Sequence, residues 1–287
     1  MKLVVLCGGQ GSRIRDVSEA MPKPMLPIGG APILWHIMKL YAAHGVTDFV
    51  LCLGYKSWAI KEFFLNYRTM ISDCTVTLGR QSEIEFHDTP AEASWRVTLA
   101  DTGEHTMTGG RVWRVKRYLQ DEDHFCLTYG DGIADVNVTA LMRQHIQSGL
   151  VGTLTGVRVA GRFGELQSAS NKITSFDEKP AVTSGRINGG FMVFDARRVW
   201  DYFDARDDLI FERDPLARMV ADGQLGIYEH DGFWQCMDTP REYKALNELW
   251  ASGRAPWALV PRAEPCNGDA GPALPVRARQ MVPALAS

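Results

Sequence analysis

The chain has 287 residues, 45% of them hydrophobic and 23% charged, with a formal net charge of -3. That is enough apolar material for a full α/β core, and a pI of ≈ 6.2 lacks the basic field with which nucleic-acid binders meet phosphate backbones. No run approaches the roughly 18–20 apolar residues of a membrane span, and Leu3 to Cys7 is far too short for a signal-peptide core, so the expectation is a cytoplasmic protein with neither nucleic acid nor membrane as partner.

The first element, Leu3-Val4-Val5-Leu6-Cys7, is an apolar run rich in β-branched residues, of the kind that forms a strand buried on both faces. It flows into Gly8-Gly9-Gln10-Gly11-Ser12-Arg13. Three glycines in four positions after a strand can present backbone N–H groups to an anion, usually phosphate; the same pattern also serves a tight turn or close helix packing. The spacing matches neither the Gly-x-Gly-x-x-Gly of dinucleotide folds nor a P-loop. Lys23 stands between Pro22 and Pro24. The prolines fix φ and keep their neighbours extended, so this lysine is either presented with little freedom left to lose or simply solvated in a stiff loop.

Apolar residues at helical spacing from Ile33 to Tyr41, with Gly45 as a C-terminal cap, predict a crossover helix over 31–44. Asp48 to Gly54 reads as a second buried strand, and Ser57 is placed to cap a helix running to about Tyr67. Strand and helix alternating at this spacing predict a parallel sheet with right-handed crossovers. From Ser72 to Asp101 the runs Cys74–Leu78, Glu83–His87 and Arg96–Ala100 predict an excursion of small antiparallel strands before the sheet resumes. A helix from Thr108 to about Leu119 follows. Arg111 falls in its first turn, where the helix dipole disfavours a cation and a nearby anion would relieve it.

His124 to Tyr129 is a third buried strand, ending in Gly130-Asp131-Gly132. A carboxylate at the carboxyl end of a parallel strand occupies the crevice where such sheets bind ligands. Next come a helix over 139–147, a strand over 152–157 and short runs between Arg162 and Val182 that include Glu178-Lys179-Pro180. A strand then opens on Ile187-Asn188-Gly189-Gly190, followed by a helix over 216–221, a strand over 225–228, a strand ending at Asp238 and a closing helix over 241–250. Asp131 and Asp238 each follow a strand. Two carboxylates meeting at one sheet edge suit Mg²⁺, whereas singly each is more often a turn former or helix cap. Glu178 and Asn188 suit sugar hydroxyls, with Lys179 reaching a sugar's phosphate, although both segments also read as turns. Six cysteines lack Cys-x-x-Cys spacing, which points to reduced thiols rather than disulfides or zinc. Beyond Pro256 periodicity stops, so a disordered tail is expected over 259–287.

Taken together, Gly8 to Arg13, Pro22-Lys23-Pro24-Met25-Leu26-Pro27, Gly130-Asp131-Gly132, Glu178-Lys179-Pro180 and Asn188-Gly189-Gly190-Phe191 resemble the sugar-1-phosphate nucleotidylyltransferases, in order and at suitable separations. The phrases Pro32 to Met38, Val97 to Gly103, Met107 to Arg111, Thr128 to Gly132 and Phe233 to Thr239 resemble the members that use CTP and α-D-glucose 1-phosphate. The resemblance implies a Rossmann-like α/β fold, a mostly parallel sheet flanked by helices, as one nucleotidyltransferase domain over 1–258 with antiparallel insertions near 72–101 and 162–182. It implies the reaction of CTP with α-D-glucose 1-phosphate to give CDP-glucose and pyrophosphate, feeding dideoxysugar biosynthesis. UTP, dTTP or another hexose 1-phosphate, or a silent ligand-binding member, are the alternatives.

Carried onto this sequence, the family pattern implies that Leu6, Cys7, Gly8, Gly9, Gln10, Gly11, Ser12 and Arg13 bind the nucleotide, Arg13 holding the triphosphate. Lys23 neutralises charge on the reacting phosphates. Thr106 and Arg111 contact the nucleotide with Gly130 close by, Asp131 and Asp238 hold Mg²⁺, and Glu178, Lys179, Asn188 and Gly189 seat the sugar phosphate. Cys7 replaces a common Ala, Ser12 a common Thr, and Cys236 an expected Pro. The resemblance also implies a homo-oligomer, a hexamer, with the antiparallel excursions at its interfaces.

Overall fold

In a computed structural model, residues 1–9, 21–79, 83–159, 165–169, 172–177 and 185–258 are described. A seven-stranded sheet forms the centre: β1 (Lys2–Leu6), β2 (Asp48–Leu53), β3 (Arg96–Asp101), β4 (His124–Tyr129), β5 (Gly152–Val157), β6 (Ile187–Asp195) and β7 (Leu225–His230). Their order across the sheet is β7-β5-β6-β4-β1-β2-β3. Only β6 runs against its neighbours; every other pairing in the sheet is parallel.

The mostly parallel sheet expected from the strand–helix alternation is what forms, and its strands are apolar because both faces are covered. Alternate β1 residues enter two separate cores. Leu3 and Val5 pack with α1 (Ile33–Ala43), α2 (Ser57–Leu65) and α5 (Val138–Ser148), the last two reached through Ile60, Phe63, Val138 and Leu141. Val4 and Leu6 pack on the other side with Val112 and Val115 of α4 (Thr108–Val115) and Leu216 and Met219 of α6 (Asp214–Ala221). Burying each such side chain contributes about 1.5–3 kcal/mol, which is why the cores sit where the strands do. Two helices complete the chain's order: α3 (Tyr67–Ile71), after α2, and α7 (Pro240–Ala251), which closes the fold.

Two local expectations are corrected. Ser57 does not cap α2: Lys56 precedes the helix with φ 48°, no side chain caps it, and Ser57 is its first residue. The pair Cys74–Thr77 and Glu83–Phe86 is antiparallel as expected, but Arg96–Asp101 leaves that excursion and joins the main sheet, parallel to β2, as its edge strand. Exposure on an outer strand gives β3 the same broken alternation as the small hairpin. Glu165–Ala169 pairs antiparallel with Lys172–Asp177, as the short runs there predict. The tail over 259–287 lies outside the described residues.

The reversal of β6 positions the site. Its first residues lie at the same edge as the carboxyl ends of the parallel strands, so Asn188 to Gly190 arrive beside Tyr129, Gly130 and Asp131. Asp238 comes to that edge by another route. Trp234–Cys236 pairs with Gly132–Ala134 in a separate two-stranded ribbon, and Met237 N donates to Asp131 O at 2.9 Å.

Candidate active site

A cleft of ≈ 330 Å³ opens where β1 and β4 end, and its lining includes Leu6, Cys7, Gly8, Gly9, Lys23, Pro24, Thr106, Arg111, Gly130, Asp131 and Asp238. Gln10, Gly11, Ser12, Arg13, Glu178 and Lys179 lie outside the described residues. The start of the glycine turn continues the sheet: Cys7 N donates to Cys52 O and Tyr55 N to Gly8 O. Among the described residues nothing lies within 4 Å of where a Cβ on Gly9 would stand.

Gly8 is required for a different reason. A Cβ there would sit 2.1 Å from Arg111 Nη1, because the guanidinium lies flat against the turn and against Gly54 on its other side. Arg111 is 5% exposed. It donates to the carbonyls of Leu53 (3.1 Å), Gly103 (2.8 Å), Gly8 (3.0 Å) and Glu104 (3.1 Å), and to Thr102 Oγ1 (2.9 Å). The dipoles of these protein oxygens stabilise the charge while burial pulls its pKa down. Nor is the α4 N-terminus open. Asp207 O takes the N–H of Met107, and Leu209 O takes those of Gly109 and Gly110. Gly109 and Gly110 admit that crossing segment, since Cβ atoms on them would stand 2.9 Å from Leu209 O and Arg206 O.

Lys23 opens a short 3-10 turn, Lys23–Met25, entered through Pro22 at φ -70° and ψ 147°. Its side chain is buried, and its ammonium donates to Asp131 Oδ2 at 2.6 Å and to Asp238 Oδ1. Burial lowers the pKa of the ammonium, but Asp131 and then Asp238 outweigh it and hold the value above its ordinary one. The solvated reading of Lys23 is thereby excluded. Asp238 is fixed from behind by a capping box at the start of α7: Thr239 Oγ1 accepts from Glu242 N, while Glu242 Oε2 accepts from Thr239 N and Asp238 N.

Two carboxylates meeting at one cation offer hard oxygen donors of the kind Mg²⁺ takes when phosphates and waters complete its shell. Among the described residues no group of three or more His, Cys, Asp or Glu converges on one point, so a self-sufficient protein cage for a softer metal is not built here. Cys236 Sγ lies 3.6 Å from Asp238 Oδ2. Burial, with Asp238 next, pushes that thiol up to about 12, so it stands as a neutral donor beside that carboxylate.

The sugar-side candidates are adjacent rather than inside. Asn188 lines a neighbouring depression of ≈ 270 Å³ and accepts from Gly190 N through Oδ1, while Gly189 O accepts from Trp234 Nε1 at 2.8 Å. Tyr129 separates them from the cleft, its ring lying 2.6 Å from where a Cβ on Gly190 would stand. Tyr129 and Thr108 both line the cleft and were not singled out by their types. The signals in the sequence are their positions, Tyr129 ending a buried strand and Thr108 opening a helix, and their place within the phrases Thr128 to Gly132 and Met107 to Arg111.

Residues 2–235 match the nucleotidyl transferase family. The chain is 45% identical over 257 residues to a glucose-1-phosphate cytidylyltransferase of Salmonella typhimurium, an alignment covering 90% of this chain and 98% of that one. It is 28% identical to a mannose-1-phosphate guanyltransferase of Schizosaccharomyces pombe, over 88% of this chain and 65% of the other. In fold it matches HddC of Yersinia pseudotuberculosis with a TM-score of 0.61 at 23% identity, covering 87% and 99% of the two chains. With the glycine turn, the buried lysine and the paired aspartates at one sheet edge, and with a match that runs through nearly the whole described fold, the chain belongs to the nucleotidyl transferase family.

Proposed function

We propose that this chain transfers the cytidylyl group of CTP to α-D-glucose 1-phosphate, giving CDP-glucose and pyrophosphate. The observation that carries the reading is the convergence of Lys23, Asp131 and Asp238 beside the Gly8-Gly9 turn, in a chain 45% identical to a glucose-1-phosphate cytidylyltransferase.

The chemistry asks little covalent work of the protein. A phosphate oxygen of the sugar phosphate attacks the α-phosphorus; a P–O bond forms there as the bond to the β-phosphate oxygen breaks, and pyrophosphate leaves with that electron pair. No general base is needed, because the attacking phosphate is already ionised, so alignment and charge compensation supply the rate. The N–H groups of the glycine turn, with Arg13, hold the triphosphate. Lys23 compensates charge developing on the reacting phosphates. Asp131 and Asp238 would hold Mg²⁺, which would supply neutralisation of charge on the triphosphate and the departing pyrophosphate. Thr106 and Arg111 contact the nucleotide, with Gly130 close to it. Glu178, Lys179, Asn188 and Gly189 form the sugar-phosphate side.

The test is pyrophosphate release with α-D-glucose 1-phosphate and each of CTP, UTP, dTTP and GTP in Mg²⁺ buffer. A clear preference for CTP is expected; equal or faster turnover with another nucleotide would reassign the base. The same reading gives a homo-oligomer, a hexamer. Its support is the exposed apolar side chains Trp58, Leu65, Val76, Leu78 and Ile84, all carried on the segment from α2 to the small hairpin. Sedimentation at micromolar concentration checks it, and a monomer would contradict it.

A further inference from the structure

Beside the cleft lies an exposed polar contact that the transfer chemistry above leaves unused. Residues 204–213 cross the N-terminus of α4 as a strap, fixed by the carbonyls of Asp207 and Leu209. The strap delivers Glu212, whose carboxylate is held between two hydroxyls of the cleft. Thr108 Oγ1 donates to Glu212 Oε2 at 2.7 Å while accepting from Phe211 N at 3.0 Å. Tyr129 OH donates to Glu212 Oε1 at 2.6 Å.

Tyr129 occupies the junction between the two substrate sides. It is the last residue of β4, directly before Gly130 and Asp131, and its ring is seated against Gly190, which has φ +80° and no room for a Cβ. Packing therefore fixes one face of the ring, and the hydroxyl is where its remaining freedom is removed. A carboxylate beside a cleft that receives anions repels them. A residue that merely tied down the strap would do so better as a neutral amide. What ionised oxygens add is a pair of short, charge-assisted hydrogen bonds, about twice as strong as neutral ones.

We propose that Glu212 is a positioning residue for nucleotidyl transfer, fixing Tyr129 between the nucleotide side and the sugar-phosphate side so that the two substrates are held in line. This rests on the transferase reading given above. Alignment of this kind governs rate more than affinity, and small misplacements cost up to about 100-fold.

The experiment compares wild type, E212A, E212Q, Y129F and the E212A/Y129F double variant. It measures steady-state kinetics with CTP and α-D-glucose 1-phosphate, calorimetric Kd for each substrate alone, and thermal unfolding. E212A is expected to lower kcat by about 10- to 100-fold while each Kd moves by less than about threefold. Y129F should show a similar loss, the double variant no more than the larger single loss, and E212Q, which keeps an acceptor and a donor in place, should recover to within about tenfold of wild type. Wild-type kcat in E212A, additive losses in the double variant, or Kd values that weaken in step with kcat would each overturn the proposal. Should E212A fail to fold, Y129F decides alone, since it removes a single oxygen; wild-type kcat there overturns the proposal. A wild type inactive with every nucleotide overturns the transferase reading and this inference with it, whereas an active wild type with an unimpaired E212A overturns this inference only.

Discussion

Replacing Arg111 by Lys separates two uses of one cation. In the structure the guanidinium reaches five oxygens drawn from Gly8, Leu53, Thr102, Gly103 and Glu104. Lysine keeps the charge but carries three donors on a single nitrogen and cannot reproduce the planar fork. Two of the carbonyls lose little, because Gly8 O also accepts from Tyr55 N, and Leu53 O from Thr102 N and Thr102 Oγ1. Among the described residues the carbonyls of Gly103 and Glu104 have Arg111 as their donor, and each part-buried carbonyl left unpaired costs roughly 1–2 kcal/mol. Adding the space vacated between Gly8 and Gly54, the loss comes to about 2–4 kcal/mol. Urea unfolding of wild type and R111K reads this directly as a lower midpoint at constant m-value. A loss under about 1 kcal/mol, together with a raised KM for the nucleotide, would refute the clamp and make Arg111 a substrate ligand first.

Three other outcomes follow from the geometry. His36 is buried and kept neutral, Nε2 against Ile28 O and Nδ1 near Trp257 Nε1, and burial lowers its pKa to about 4, as it does for His145. The unfolded state then binds protons first as pH falls, so stability is complete above about pH 6.5 and drains away down to about pH 4, by roughly 2 kcal/mol per histidine at pH 5. Equal urea midpoints at pH 7.5 and pH 5 would contradict this, and His36→Gln should flatten the dependence. Gly190→Ala meets both φ +80° and the Tyr129 ring, so a destabilisation of about 1–3 kcal/mol is expected; an unchanged thermal midpoint would count against the seating of Tyr129. Asp131→Asn removes one of the two carboxylates at Lys23, and chelation removes the metal; each should abolish pyrophosphate release and leave the circular dichroism spectrum intact, and undiminished release would refute the metal role.

Much of this was legible in the sequence because residue type carried it. The strands announce themselves as apolar runs, since both faces of β1 enter a core, and Lys23 with Asp131 and Asp238 stand out because charge and proline mark them. What type does not encode was missed. Arg111 is satisfied by carbonyl oxygens, which every residue owns, so nothing in Gly8, Leu53, Gly103 or Glu104 advertises them as its partners. Arg96–Asp101 is half exposed as an edge strand and reads like a small hairpin. Glu212 lies in a run of charges whose use depends on a strap crossing α4.

The antiparallel course of β6 has a consequence for how such a protein can diversify. Val157 and Ile187 are register partners, so the chain leaves the sheet and re-enters it at one point on the ligand edge. A change in the length of the interval 158–186 therefore adds a loop-closure cost that grows only with the logarithm of length, and the Val157–Ile187 pairing needs no new crossover helix to accommodate it. Glu178 and Lys179 fall within that interval. Gly8, Asp131 and Asp238 stand just past strand ends and Asn188 and Gly189 on β6 itself, so of the candidate residues it is Glu178 and Lys179 that fall where length can change without disturbing the register of the sheet.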